Sequence, residues 1–159
     1  MNKIESFKID HTKLGTGVYV SLKQTFGEQV ITTFDIRLCR PNVDAVMSTG
    51  VMHTIEHIGA TFLRNHSEWG EKVVYFGPMG CRTGFYLVLA GNYCPKCVWK
   101  VLTEAFAFIA EFSGAIPGAS PVECGNYSDM DLALAKKAAK DFLTSTLLCP
   151  SEEKMNYPQ

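Results

Sequence analysis

The chain has 159 residues, the length of one ordinary domain, taken here as 1–159, and 47% hydrophobic against 19% charged residues excludes a disordered chain. Fifteen Lys and Arg against sixteen Asp and Glu leave a net charge of -1, so charge gives no reason to expect a nucleic acid or an anionic membrane as partner. The first residues lack the apolar core of a signal peptide and no apolar run approaches a membrane span; the expected address is cytoplasmic, where six cysteines read as thiols, ligands or catalysts rather than disulfide partners.

In chain order, two β-rich runs at 18–26 and 29–38 flank Gly27-Glu28 and read as a hairpin. On the second run Val30, Phe34, Ile36 and Leu38 share one face, whereas Asp35, Arg37 and Cys39 lie on the other. Arg37 is therefore expected to point away from the core, toward solvent or a ligand. Ser48 or Thr49 can cap a helix from about 51 to 64. A strand at 72–76, a tight turn at 77–81 and a strand at 83–90 follow. Pro95 suits the first turn of a long apolar helix that Gly114 would close. Residues 115–127 read as irregular, and Ser128 with Asp131 gives a start signal for a last helix to about 148. Paired strands with helices between them predict an α+β fold, an antiparallel sheet packed with helices.

The residues richest in chemistry are His53-Thr54-Ile55-Glu56-His57. On a helix, His53 and His57 are one turn apart, so both imidazoles can reach one metal ion, with Glu56 beside the same face. A two-histidine site needs a third protein ligand, and Cys124 in the loop Glu123-Cys124-Gly125 is the best candidate, read as lying just before a helix whose N-terminus would favour a thiolate. Such a set leaves a coordination position open, the mark of a catalytic site. Cys81 sits in the turn Gly77-Pro78-Met79-Gly80-Cys81-Arg82-Thr83-Gly84, where exposed N–H groups and Arg82 would also favour a thiolate. Cys94-Pro95-Lys96-Cys97 starts a helix as redox motifs do, but no βαβ unit precedes it, and two ordinary cysteines at a helix cap is the favoured reading. The spacing of Ser6 and His11 alone points to no function.

Taken together, Glu5-Ser6-Phe7-Lys8-Ile9-Asp10-His11, Phe34-Asp35-Ile36-Arg37-Leu38-Cys39, the His53 to His57 motif, Pro78-Met79-Gly80-Cys81-Arg82-Thr83-Gly84-Phe85-Tyr86 and Cys124-Gly125 resemble the S-ribosylhomocysteine lyase (LuxS) family over nearly the whole chain. The resemblance implies a LuxS-like metalloenzyme fold and one divalent metal per subunit on His53, His57 and Cys124. That metal is expected to be Fe(II), with zinc or cobalt suited to the same ligands. It further implies that Glu56 and Cys81 are the acid/base pair and that Ser6, His11 and Arg37 help hold substrate. The family's members are homodimers whose interfacial active sites use residues of both chains. Its reaction releases homocysteine from S-ribosylhomocysteine by carbonyl migration and β-elimination, leaving 4,5-dihydroxy-2,3-pentanedione, the autoinducer-2 precursor. Quorum sensing and methyl-cycle detoxification both follow from that one reaction.

One departure stands out. The family commonly spells the approach to its catalytic cysteine Asp-Ile-Ser-Pro-Met-Gly-Cys, where this chain has Tyr75-Phe76-Gly77-Pro78-Met79-Gly80-Cys81. A carboxylate is lost near the substrate, while the metal and acid/base residues are intact, so activity is expected to survive. Two rival readings are a zinc hydrolase, in which Glu56 activates water and Cys81 is idle, and a thiol-based sensor built on Cys94 and Cys97.

Overall fold

The computed structural model describes residue 4 and residues 7–158. Among them, β1 (Gly17–Phe26), β2 (Gln29–Arg37), β3 (Val73–Pro78) and β4 (Gly84–Ala90) form one antiparallel sheet in the order β1-β2-β4-β3. Three α-helices complete the fold: α1 (Thr49–Arg64), α2 (Pro95–Glu111) and α3 (Leu132–Phe142). The expected α+β class and antiparallel sheet are both present.

Alternation along the strands decides which face meets the helices. Phe34 and Ile36 of β2 and Phe85, Leu87 and Leu89 of β4 are fully or almost fully buried in one apolar core, against Ile55 and Ile58 of α1, Leu102 and Phe106 of α2, and Ala135 and Ala139 of α3. Fully burying each such large side chain favours the fold by about 1.5–3 kcal/mol before chain entropy is counted. The other face carries Tyr19, Asp35 and Arg37, and there the C-terminal segment lies against the sheet: Tyr157 stacks on Tyr19 with ring centroids 4.7 Å apart.

That cover corrects one expectation. Arg37 does leave the core face, but it is not turned to solvent, being only 3% exposed. Its Nη2 donates to Asp35 Oδ2 at 2.5 Å, and Tyr157 donates its hydroxyl to the same oxygen at 3.0 Å. The last helix also starts later than expected. Asp131, not Ser128, is the N-cap of α3, accepting from the Leu134 N–H at 2.9 Å, and beyond Phe142 the chain continues as a π-helical turn through Leu147. Ser128 instead belongs to a short 3-10 turn, Tyr127–Asp129.

Candidate active site and metal centre

Helix α1 builds the first half of the site. Ser48 caps it through the Val51 N–H, and its buried stripe of Val51, Met52, Ile55 and Ile58 turns His53, Glu56 and His57 onto the half-exposed side. The two imidazoles lie edge to face, with centroids 4.7 Å apart. Ligand atoms of His53, His57 and Cys124 all fall within 4.8 Å of one another, and Cys124 Sγ lies 3.3 Å from His53 Nε2.

The outer contacts of both histidines fix their tautomers. His53 Nδ1 is 2.7 Å from Asp129 Oδ1, and His57 Nδ1 is 2.7 Å from the Pro117 carbonyl oxygen. Neither a carboxylate nor a carbonyl can donate, so each Nδ1 carries a proton and each Nε2 is the nitrogen left to face a ligand. This donor set, two imidazoles and one thiol, fits a divalent transition metal.

The loop bearing Asp129 can reach α1 because residue 50 is glycine. A Cβ there would collide with the Asp129 carbonyl oxygen. Two further contacts dock the loop: the Asp131 N–H donates to Thr54 Oγ1 at 2.9 Å and to the Gly50 carbonyl at 3.4 Å. Cys124 itself is placed by its own N–H on the Ser120 carbonyl at 2.9 Å. It is separated from the start of α3 by the Tyr127–Asp129 turn, so the helix N-terminus expected to support its thiolate is not beside it.

The second half of the site is the turn between β3 and β4. It is closed by Met79 N–H to the Gly84 carbonyl and Arg82 N–H to the Met79 carbonyl, both at 2.9 Å. A cavity of about 380 Å³ lies between this turn and α1, with His53, Glu56 and Asp129 on one side and Met79, Gly80 and Arg82 on the other. Cys81, the exposed residue between Gly80 and Arg82, has its Sγ 3.1 Å from Thr83 Oγ1 and 3.6 Å from Arg37 Nη1. Burial pushes this thiol up, but the Thr83 hydroxyl and N–H, with the Arg37 guanidinium, outweigh it and hold Cys81 below an ordinary cysteine. Arg37 is thereby tied to Asp35, Thr83 and Cys81 together.

His11 lies apart from this cluster. Its Nδ1 is 2.9 Å from the Ile9 carbonyl, and no contact among the described residues joins it to Cys81 or to the three-ligand set. Ser6 lies outside the described residues. Asp129, the Pro117 carbonyl and Thr83 are the supporting groups that sequence reading missed; only the position of Thr83, two residues from Cys81, offered a signal.

A half-exposed His–His–Cys set beside a glutamate, facing across one cavity the turn that carries Cys81, defines a small α+β protein built around a candidate metal centre. The S-ribosylhomocysteinase (LuxS) family profile matches residues 4–153, and the chain belongs to that family. Over 158 residues it is 56% identical to the S-ribosylhomocysteine lyase of Clostridium beijerinckii, covering 99% of each chain. It is 54% identical to the lyase of Clostridium acetobutylicum over the full length of both, and 52% identical to that of Desulfotalea psychrophila over 99% of each.

Proposed function

We propose that this chain is a metal-dependent carbon–sulfur lyase, one domain over 1–159, that cleaves S-ribosylhomocysteine to homocysteine and 4,5-dihydroxy-2,3-pentanedione. The observation that carries this reading is an exposed Cys81, its Sγ held 3.1 Å from Thr83 Oγ1 and 3.6 Å from Arg37 Nη1, in the β3–β4 turn whose neighbouring residues Gly80 and Arg82 line the same cavity as Glu56. A hydrolase would leave that thiol idle.

The chemistry follows from the residue types. His53, His57 and Cys124 would hold the ion; when bound it supplies a Lewis acid toward the sugar's carbonyl and hydroxyl oxygens, and Fe(II) is the ion proposed. Cys81 as thiolate takes the proton from C2 and returns it to C1, then takes the C3 proton and returns it to C2, so the carbonyl moves from C1 to C3. Cys81, again as thiolate, then takes the C4 proton and the homocysteine thiolate leaves from C5. Glu56 carries protons between the oxygens during migration and delivers one to the departing sulfur. Thr83 and Arg37 favour the Cys81 thiolate needed for the first of these steps.

Ser6, His11 and Arg37 are proposed to hold substrate, Ser6 and His11 from the second chain of a homodimer with interfacial sites. Exposed apolar side chains at Phe7, Val122 and Tyr127, near His11 and Cys124 in the chain, suit such an interface. Among the described residues no helix is long and apolar enough to cross a membrane. Six unpaired cysteines and a thiol product suit a reducing cytoplasm.

The test is anaerobic incubation of Fe(II)-loaded protein with S-ribosylhomocysteine, with homocysteine and the dicarbonyl product scored by mass. Wild type turns over, whereas Cys81→Ala binds metal and loses about 100-fold or more in rate. Peptide cleavage without sugar turnover would restore the hydrolase reading.

A further inference from the structure

We propose that Cys94 and Cys97 form a redox-active dithiol that exchanges with low-molecular-weight disulfides, at a site separate from the cavity that Glu56 lines. The two sulfurs are 2.6 Å apart at the first turn of α2, and both residues are exposed. Cys94 is the N-cap, in extended conformation, with Pro95 as the first helical residue. The pair forms a reciprocal capping box: the Cys94 side chain accepts from the Cys97 N–H, and Cys97 Sγ accepts from the Cys94 N–H at 3.2 Å. Two thiols held in direct contact in this way are placed to close a disulfide.

The charge environment suits attack by Cys94. A sulfur at the N-terminus of a 17-residue helix faces unpaired N–H groups and the positive end of the helix dipole. The Cys97 thiol, followed by the N–H groups of the first turn, holds Cys94 below the usual cysteine range against the opposing effect of desolvation. Lys96 is tied to Glu152 at 2.6 Å and leaves the sulfurs uncovered.

No other cysteine shares this arrangement. Cys39 is half-buried, and burial followed by the Asp44 charge raises its thiol. Cys149 is exposed, but its Sγ meets the Thr144 carbonyl at 3.7 Å rather than a second sulfur. Cys81 belongs to the β3–β4 turn and Cys124 to the metal set. The seven-residue strand β4, on the order of 20 Å long, runs between the turn that carries Cys81 and the start of α2.

The exchange balances in two steps. The Cys94 thiolate attacks one sulfur of a disulfide RSSR, forming the mixed disulfide and releasing RS⁻, which takes a proton. Cys97 loses its proton and attacks Cys94 Sγ, forming the Cys94–Cys97 bond and releasing the second RS⁻. Two protein thiols are oxidised and one RSSR is reduced to two RSH.

The test equilibrates the full-length, metal-loaded protein with graded mixtures of reduced and oxidised glutathione, then quenches in acid, alkylates and maps thiols by mass. Wild type is expected to lose two hydrogens on the peptide carrying Cys94 and Cys97, reversibly. Cys97→Ser should accumulate glutathione on Cys94, whereas Cys94→Ser should react at Cys97 at least about tenfold more slowly. Serine is a good helix cap, so these variants keep the fold. Lyase turnover of Cys94→Ser/Cys97→Ser is expected to equal wild type. Absence of the internal disulfide in excess oxidised glutathione would overturn the proposal. So would labelling of Cys149 as fast as Cys94.

Discussion

The ring of Tyr75 lies across Gly77, its hydroxyl occupying the space that a Cβ on residue 77 would need. Two of the three departures from the family's usual spelling, at residues 75 and 77, are thus one steric unit: the tyrosine is accommodated because the glycine has no side chain. Tyr75 is half-exposed, so a displaced ring can swing toward water. Gly77→Ser is expected to cost about 1 kcal/mol through that displacement, and Tyr75→Ala/Gly77→Ser to recover most of it. Denaturant melts of the four members of this cycle give the coupling. An equal cost of Gly77→Ser in both backgrounds would show that the glycine serves something other than the ring.

Thr83 controls Cys81. Burial raises the thiol, and the Thr83 hydroxyl is the largest of the effects that bring it below an ordinary cysteine. Thr83→Val removes that hydroxyl at nearly constant shape from a site 3% exposed. The Cys81 pKa then rises, so at neutral pH less of it is thiolate. Alkylation by iodoacetamide, read on Cys81 by mass, is expected to slow at neutral pH and to shift its pH profile to higher pH. The lyase rate should fall with it, while metal content is unchanged. A profile unmoved by Thr83→Val would assign the low thiol to Arg37 instead.

Asp129 acts on the metal centre through His53. It touches Nδ1, the nitrogen opposite the one left for a ligand, and holds the ring so that Nε2 faces the ligand side. Asp129→Ala is expected to weaken metal binding about 10–100-fold, measured by competition with a chelator, with helix content unchanged. His53→Ala, His57→Ala and Cys124→Ala should each lose more. If Asp129→Ala binds metal like wild type, the carboxylate only docks the 127–131 loop.

The parts of the site that follow local periodicity were legible in the sequence, and those assembled by distant segments were not. His53, Glu56 and His57 share a face because a helix repeats every 3.6 residues, and the strands alternate as the residues 30–38 pattern requires. Cys124 was read as the third ligand, and the structure brings it to His53 and His57, but not for the reason given, since no α-helix starts beside it. Asp129 meets His53 across 76 positions and the Pro117 carbonyl meets His57 across 60, both from an irregular segment with no repeat to read. The burial of Arg37 was hidden for the same reason. Its cover arrives with Tyr157, 122 positions from Asp35.

That cover makes the Asp35–Arg37–Tyr157 group the most sensitive polar cluster in the fold. Asp35 and Arg37 are 2% and 3% exposed, so neither charge can turn to water if its partner is lost. Asp35→Ala is expected to destabilise the protein by about 3–5 kcal/mol, because it leaves a buried guanidinium with only Thr83 and Cys81 as partners. Tyr157→Phe keeps the stacking on Tyr19 and removes one hydrogen bond to a charged oxygen, a loss of about 1.5–3 kcal/mol. The two changes should not add, since removing Asp35 already removes the oxygen that the phenol meets. Urea melts of both single variants and the double variant measure this directly. A double variant as costly as the sum of the singles would mean that Tyr157 is held by its ring alone.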